Sequence, residues 1–385
     1  MDFKFTATPQ ILFGVGKIKL LPELINEFGN RALLVTGKSS FIKSFHAIEL
    51  FNDLEAYGIS NQIIHIEGEP TPEQINRAVK EHAPLKPDVI VAIGGGSVMD
   101  AGKAISAMLC EDGSIIDFLE GIGTKLPSGE KIPMIAVPTT AGTGSEATKN
   151  AVITRPGENG FKKSLRHDNY IPNIALVDPQ LTIGCPPNIT AASGMDALTQ
   201  LLESYLSVNS NPLTDAIAFE GIKQILHSLE RAVEKGDDLD ARTGVSYGAL
   251  TSGITLANAG LGVVHGFAQP LGSLFSIPHG TVCGTLMGAA NRITVQKLNE
   301  KNNVRTLEKY YRVASILTNE MDQGKAVDFL LDEIDRLIQK FNLPGLSRFG
   351  ITEKDFPLIL KNTGLKFHPI DLSAADLIWI LNQRL

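Results

Sequence analysis

Cysteine is scarce in this chain, and the three cysteines show no pattern typical of disulfides. Cys110, Cys185 and Cys283 are widely separated and form no CxxC pair. An odd number of dispersed cysteines argues against a disulfide framework. We therefore expect all three to be small side chains of the hydrophobic core.

Basic residues and long apolar runs are also in short supply. There are 35 lysines and arginines against 42 aspartates and glutamates, so the net charge of −7 excludes a basic surface that would hold a nucleic acid. No apolar stretch reaches the roughly 18 to 20 residues that a membrane helix needs, and the first residues do not resemble a signal peptide. We expect a cytoplasmic protein that binds neither nucleic acid nor membrane.

The order of strand-like and helix-like segments predicts two domains, for which 385 residues suffice. Residues 88–93 (DVIVAI) are apolar after the first position, as in a parallel strand buried on both faces. Pro72 predicts the first position of a helix. Alternating strands and helices predict an α/β domain over residues 1–185, and the helical periodicity that follows predicts a helical domain over residues 186–385. Further strand-like runs occupy residues 31–36, 61–66, 134–137 and 174–177.

Two loops rich in glycine and hydroxyl groups follow predicted strands. The buried strand at residues 88–93 runs into GGGS at residues 94–97, and the strand at residues 134–137 runs into PTTAGTGSE at residues 138–146. Glycine lets the backbone approach a ligand closely, and free amides at a helix start favour an anion. GGGS lacks GxGxxG spacing, so a tight structural turn remains the alternative for either loop alone. In open α/β sheets ligands collect at the carboxyl ends of strands, so the two loops together favour a ligand site.

Asp196, His265 and His279 are candidate metal ligands. A carboxylate and two imidazoles suit a site for Fe(II) or for catalytic zinc with open positions. We interpret Asp196 as lying on the first turn of an apolar-periodic helix that faces a cleft between the two domains. Spacing alone does not bring residue 196 near residue 265, so the alternative stays open that each side chain satisfies only local backbone groups.

Taken together, these motifs resemble the iron-containing, or group III, alcohol dehydrogenases over nearly the whole chain. The segments GGGSVMDAGKA, PTTAGTGSE, VDPQLTIGCPPNITAASGMDALTQLLESY and GVVHGFAQPLGSLFSIPHG follow one another in that family's order and approximate spacing. The resemblance implies an amino-terminal Rossmann-like dinucleotide-binding domain and a carboxyl-terminal helical domain, the architecture of dehydroquinate synthase. It also implies metal-assisted hydride transfer between NAD(P) and a primary alcohol or aldehyde, in a homodimer or higher homo-oligomer.

The resemblance also implies roles for individual residues. Asp196, His265 and His279 would be catalytic metal ligands, with Gln200 at the fourth ligand position of the family. The expected cofactor contacts are Gly95, Gly96, Ser97 and Asp100 at the diphosphate, Thr139, Thr140 and Thr143 near the nicotinamide, and Lys162 and Leu176 nearby.

Three departures from the family pattern keep alternatives open. Gln200 and Gln269 stand where the family usually has histidine, and residues 366–369 (KFHP) replace its usual Asn-Pro-Arg. Gln200 follows Asp196 by four residues and is expected on the same helical face, but a carboxamide is a weaker ligand than imidazole, so the metal site is expected to be weakened. The alternatives are a metal-independent reductase similar to maleylacetate reductases and a nucleotide-binding relative without turnover.

The end of the first nucleotide-domain strand predicts the choice of cofactor. Many NAD-using members carry an aspartate where this chain has Gly37, and that carboxylate would repel a 2′-phosphate. Ser39, Ser40 and Lys43 follow and offer hydrogen bonds or positive charge to a phosphate. We therefore expect NADP to be preferred and NAD to be possible, with a simple glycine turn as the alternative interpretation of Gly37.

Overall fold

The computed structural model describes residues 2–155, 157 and 160–385. All its strands precede residue 178, and long helices make up most of the remainder. The strands are β1 Gln10–Phe13, β2 Arg31–Gly37, β3 Ser60–Ile66, β4 Val89–Gly94, β5 Met134–Pro138, β6 Asn150–Arg155, β7 Phe161–Arg166 and β8 Ile174–Val177. The helices of the first half are α1 Leu21–Asn26, α2 Phe45–Ala56, α3 Pro72–His82 and α4 Gly96–Met108.

The second half contains helices and short 3-10 turns. Its first helix begins at Pro187, where proline at the first helical position is well tolerated because its missing N–H would have no partner there. The helices are α5 Pro187–Leu206, α6 Pro212–Glu234, α7 Leu239–Ala259, α8 Val263–Phe275, α9 His279–Glu300, α10 Val304–Ala314, α11 Gln323–Lys340, α12 Phe356–Lys361 and α13 Ala374–Asn382. Within the described residues, no helix is both long and apolar enough to cross a membrane.

A six-stranded parallel sheet in the order β1-β8-β5-β4-β2-β3 forms the centre of the first half. Its central strands are apolar throughout because both faces are covered, and every residue of β4 and β5 is buried. The order reverses between β2 and β4, which is the position where such sheets bind ligands. The loops after β2, β4 and β5 therefore lie side by side at one edge of the sheet.

The strands β6 and β7 form a separate antiparallel hairpin that the sequence pattern did not predict. Ala151 and Ile153 face the core, while the first four residues of β7, including the consecutive Lys162 and Lys163, are partly buried. The adjacent positive charges of FKKSLR hide a period of two, and this is the physical reason that the segment does not look like a strand.

A close approach of two glycines joins the halves. Gly144 lies in the loop after β5 with φ of +59°, and a Cβ placed on Gly253 of α7 would lie only 2.0 Å from the carbonyl oxygen of Gly144. No larger residue fits at Gly253 unless the backbone moves. The contact holds the loop after β5 directly against α7 and thus beside the cleft.

Candidate metal centre and cofactor cleft

Four side chains from three helices of the second half meet at the cleft. They are Asp196 on α5, His265 on α8, and His279 and Cys283 on α9, and one ligand atom from each lies within 4.8 Å of every other. Asp196 and Cys283 are buried, whereas 32% of the His279 side chain is exposed. The structure thus brings together the three predicted ligands and adds a cysteine.

The position of Asp196 within its helix corrects the prediction. Asp196 is not on the first turn, because α5 begins nine residues earlier, at Pro187. Polar and small residues fill the first turns of α5, so its apolar period starts late. The mid-helix position buries the carboxylate, which has 1% relative exposure.

The carboxylate of Asp196 has an unsatisfied atom. Among the described residues, its Oδ1 is one of the buried side-chain oxygens without a hydrogen-bond partner. The Nε2 atoms of His265 and His279 lie 3.4 and 3.7 Å from this oxygen. A buried, unpaired carboxylate oxygen is costly unless it binds a cation.

Glu203 fixes the orientation of His265. Its Oε2 lies 2.7 Å from Nδ1 of His265, and its Oε1 accepts a hydrogen bond of 2.7 Å from the backbone N–H of Val264. Burial alone would lower the pKa of His265, but its contacts with Cys283, Asp196 and Glu203 outweigh burial and raise that pKa well above its usual value, so a metal ion at the cluster would displace the proton of Nε2. Carboxylate–histidine pairs of this kind support metal ligands in proteins.

The charges of the cluster favour a cation at its centre. Burial by itself would raise the pKa of Asp196, but His279 and His265 outweigh burial and bring that pKa to about 2. Burial lowers the pKa of His279 and leaves its imidazole neutral. Burial also raises the pKa of the Cys283 thiol to about 12, although a thiol that coordinates a metal ion loses its proton. Asp196 and His279 are thus in the protonation states that a divalent ion requires, whereas His265 and Cys283 would each release a proton when the ion binds.

Gln200 lies one turn after Asp196, but its terminal amide has another contact. Oε1 of Gln200 lies 2.8 Å from the hydroxyl of Ser252 on α7. One end of the amide is therefore tied to the neighbouring helix. The other departures lie nearby: Gln269 is exposed, and His368 accepts a hydrogen bond of 3.4 Å from Val263 and lies 3.2 Å from the hydroxyl of Thr294.

The predicted cofactor loops meet at the sheet edge. The backbone N–H of Thr139 donates to the carbonyl of Gly94, and a Cβ on Gly96 would lie 2.7 Å from Thr143. Gly95 is the N-cap of α4 and has no side chain to cap the helix, so the first amides of α4 are free for an anion. The predicted contacts that lie partly exposed at this edge are Gly37, Gly95, Gly96, Ser97, Thr139, Thr140 and Thr143, with Ser39 and Ser40 exposed beside them.

Three predicted cofactor residues have other contacts in the structure. The side chain of Leu176 is fully buried in the core beside β8, so its predicted cofactor contact stays a prediction for its backbone. Asp100 accepts hydrogen bonds of 2.6 Å from Ser145 and 3.2 Å from the backbone of Val152, and thereby ties α4 to the loop after β5 and to β6. Lys162 forms an ion pair of 2.5 Å with Glu69.

Two of the cysteines also differ from expectation. Cys110 and Cys185 are partly exposed, so the prediction that they are core residues is wrong. Cys283 is buried in a hydrophobic cluster as expected, but its Sγ also faces the Nε2 atoms of two histidines. A spacing of four residues after His279 places Cys283 on the same face of α9, and this signal was available in the sequence.

Comparison with known proteins agrees with this geometry. Residues 8–179 match the family described as iron-containing alcohol dehydrogenase, and residues 190–382 match the carboxyl-terminal part described as Fe-containing alcohol dehydrogenase family. The chain belongs to the iron-containing alcohol dehydrogenase family. As a member of this family it is an NAD(P)-dependent oxidoreductase.

Similar members of the iron-containing alcohol dehydrogenase family cover nearly the whole chain. Long-chain-alcohol dehydrogenase 1 of Geobacillus thermodenitrificans is 31% identical over 93% of this chain and 90% of its own length. NADPH-dependent butanol dehydrogenase of Clostridium saccharobutylicum is 31% identical over 92% of this chain and 88% of its own length. The crystal structure of a 1,3-propanediol oxidoreductase superposes with a TM-score of 0.89 at 30% identity and covers 100% of both chains.

Proposed function

We propose that this chain catalyses reversible, metal-assisted hydride transfer between NADP and a primary alcohol or aldehyde, with NAD as the less favoured cofactor. The observation that carries the proposal is the unpaired Oδ1 of Asp196, which faces the Nε2 atoms of two histidines in a cleft beside the glycine and threonine loops. A divalent cation would satisfy that oxygen and both histidine nitrogens at once.

Asp196, His265 and His279 would hold the ion, each with its own part in the site. Asp196 supplies the negative charge, because its pKa of about 2 keeps it ionised at neutral pH. Glu203 holds His265 in the tautomer that presents Nε2. His279, at the start of α9, is the ligand with the most exposed side chain and borders the space for substrate. When bound, a divalent ion would supply Lewis-acid polarisation of the substrate oxygen.

The cofactor would lie along the carboxyl edge of β2, β4 and β5. The free amides at the start of α4 suit its diphosphate, and the partly exposed Thr139, Thr140 and Thr143 would lie near its nicotinamide. A domain boundary at residue 185 would give this edge a helical wall, since α5 begins at Pro187. Lys162 and its partner Glu69 form the side of the cleft near His279.

Preference for NADP is proposed from the end of β2. Gly37 has no carboxylate to repel a 2′-phosphate, and Ser39, Ser40 and Lys43 are exposed beside it. The butanol dehydrogenase of Clostridium is named as NADPH-dependent, which is consistent with this preference. The neighbouring Lys38 is held by Glu67 at 3.1 Å, so its charge is partly balanced.

One observation favours a second candidate function. The amide of Gln200 is tied to Ser252, so only three of the family's four ligand positions carry a free donor. A metal-independent reductase with the same fold would not need a fourth ligand. Gln269 also favours the metal-independent reductase, because an amide does not exchange a proton near neutral pH as the usual histidine does.

Activity with and without metal separates the candidates. NADPH oxidation is measured with a panel of short and long aldehydes, using protein stripped of metal and the same protein reloaded with Zn(II) or, anaerobically, Fe(II). The proposal expects activity only after reloading, and little activity for Asp196→Asn under either condition. Equal activity before and after reloading would establish the metal-independent reductase, and NADPH binding without turnover would establish a non-catalytic relative.

A further inference from the structure

Cys283 is the fourth member of the cluster, and no part of the proposed function yet uses it. Its Sγ lies 3.6 Å from Nε2 of His265 and 3.8 Å from Nε2 of His279. The residue is fully buried. A buried cysteine usually behaves as a small hydrophobic side chain among apolar neighbours. Here the thiol instead faces the same two nitrogen atoms that face Asp196.

The spacing of the four atoms matches a tetrahedral site. Usual zinc bond lengths, combined with tetrahedral angles, put two nitrogen or oxygen ligands about 3.3 Å apart and put sulfur about 3.6 Å from nitrogen. The separations of Oδ1 of Asp196 from the two histidine nitrogens are 3.4 and 3.7 Å. The separations of Sγ of Cys283 from the same two nitrogens are 3.6 and 3.8 Å. All four separations lie within half an ångström of the tetrahedral values.

Helix geometry explains why Cys283 reaches the cluster. His279 and Cys283 are four residues apart on α9, so their side chains lie on one face of the helix. Gln200 bears the same relation to Asp196 on α5, but Oε1 of its amide accepts a hydrogen bond from the hydroxyl of Ser252 on α7. The sulfur therefore faces the centre while the amide is held by α7.

We propose that Cys283 is the fourth protein ligand of the metal site, in place of Gln200, and that the site therefore selects zinc over Fe(II). The inference rests on the proposed function to the extent that a metal is held here. Thiolate is a soft ligand that favours zinc, and a tetrahedral set containing sulfur and nitrogen is typical of zinc. The site would then bind its metal ion more tightly than a site with Gln200 as the fourth ligand.

Cobalt(II) is the probe, because a thiolate ligand gives it a charge-transfer absorption in the near ultraviolet that nitrogen and oxygen ligands do not. Metal-free protein is titrated with Co(II), and the parent is compared with Cys283→Ser and Gln200→Ala. Cys110→Ser is the matched control, since it removes a partly exposed thiol elsewhere in the chain. Circular dichroism of each metal-free variant confirms that it is folded, and Cys283→Ala provides a second variant if Cys283→Ser is not.

The expected result is a charge-transfer band in the parent, in Gln200→Ala and in Cys110→Ser, and no band in the Cys283 variants. In competition titrations, the Cys283 variants should lose at least tenfold in affinity for Zn(II) and less for Fe(II). Co(II) that binds without the band, with affinity unchanged in the Cys283 variants and reduced in Gln200→Ala, would overturn the inference while the proposed function stands. Failure of every protein to bind Co(II) would overturn both the inference and the metal-assisted function, and aldehyde reduction by the same stripped protein would then identify the metal-independent reductase.

Discussion

Oε2 of Glu203 and Nδ1 of His265 are 2.7 Å apart, and this contact determines which nitrogen of His265 faces the metal cluster. Glu203 lies seven residues after Asp196 on α5, two turns along the same face. It contacts a ligand and not the metal position itself, so we regard Glu203 as a positioning residue. Burial and the shared hydrogen bond to Val264 leave its carboxylate little freedom to move.

We expect Glu203→Gln to weaken metal binding by roughly 10- to 100-fold, because the neutral amide no longer raises the basicity of His265. Isothermal titration with Zn(II), with a competing chelator for tight binding, measures the effect. Glu353→Gln, at an exposed position, is the control and should bind as the parent does. Equal affinities in Glu203→Gln and the parent would show that the contact does not support the metal.

Gly37→Asp should shift cofactor preference toward NAD. A Cβ at Gly37 has room, with its nearest contact 3.8 Å away at the Ser40 hydroxyl, so the substitution fits. The ratio of kcat/KM for NADP to that for NAD should fall by about tenfold or more, which corresponds to about 1.4 kcal/mol. Gly37→Asn adds the same bulk without the charge and should change the ratio much less. An equal effect of the two substitutions would assign the change to bulk and remove the charge argument.

Gly253→Ala should disturb both halves of the cleft. The added methyl would lie 2.0 Å from the Gly144 carbonyl, so α7 and the loop after β5 must move apart. Overpacking of this kind costs about 1–3 kcal/mol in unfolding free energy, and KM for the cofactor should rise because the threonine loop moves. Gly324→Ala, in the first turn of α11, is the control and should be neutral or stabilising. An unchanged KM in Gly253→Ala would mean that the glycine contact does not position the loop.

Glu146 makes the free energy of unfolding depend on pH. Burial disfavours its carboxylate and raises its pKa from 4.5 to about 7, although a backbone hydrogen bond and the charge of Lys103 oppose the change. Between these two values the folded protein keeps a proton that the unfolded chain has released, so the free energy of unfolding contributed by this group falls as pH rises. The full decrease in the free energy of unfolding is about 3 kcal/mol.

Glu146→Gln should remove this dependence. Its unfolding free energy from urea titration should equal that of the parent near pH 5 and exceed it by up to about 3 kcal/mol near pH 8. Glu353→Gln again serves as the exposed control. A parallel pH dependence in Glu146→Gln and the parent would contradict the assignment.

Local patterns predicted the first half of the fold well. The apolar run after Asp88 became β4, and Thr71 and Gln74 form the capping box of α3 with Pro72 in its first turn. Such signals depend on near neighbours in the chain. The hairpin β6–β7 was missed because its partner strand is charged, and its pairing is a tertiary property.

The metal centre shows that residue spacing alone does not identify the metal ligands. A spacing of four residues applies equally to Asp196 with Gln200 and to His279 with Cys283, but only the first pair was predicted to be ligands. The rotation of α5 and α9 about their axes turns the amide toward Ser252 and the thiol toward the histidines. That rotation is set by packing between helices, which no single segment encodes. The burial of Leu176 in the sheet is a similar tertiary effect.

Anomalous diffraction from crystals grown with Zn(II) and NADP, recorded on both sides of the zinc absorption edge, tests the central claim most directly. The account predicts a zinc peak within bonding distance of Oδ1 of Asp196, Nε2 of His265 and His279, and Sγ of Cys283, with the cofactor along the edge of β2, β4 and β5. The absence of a peak among these four residues in crystals containing NADP would contradict a metal-assisted function.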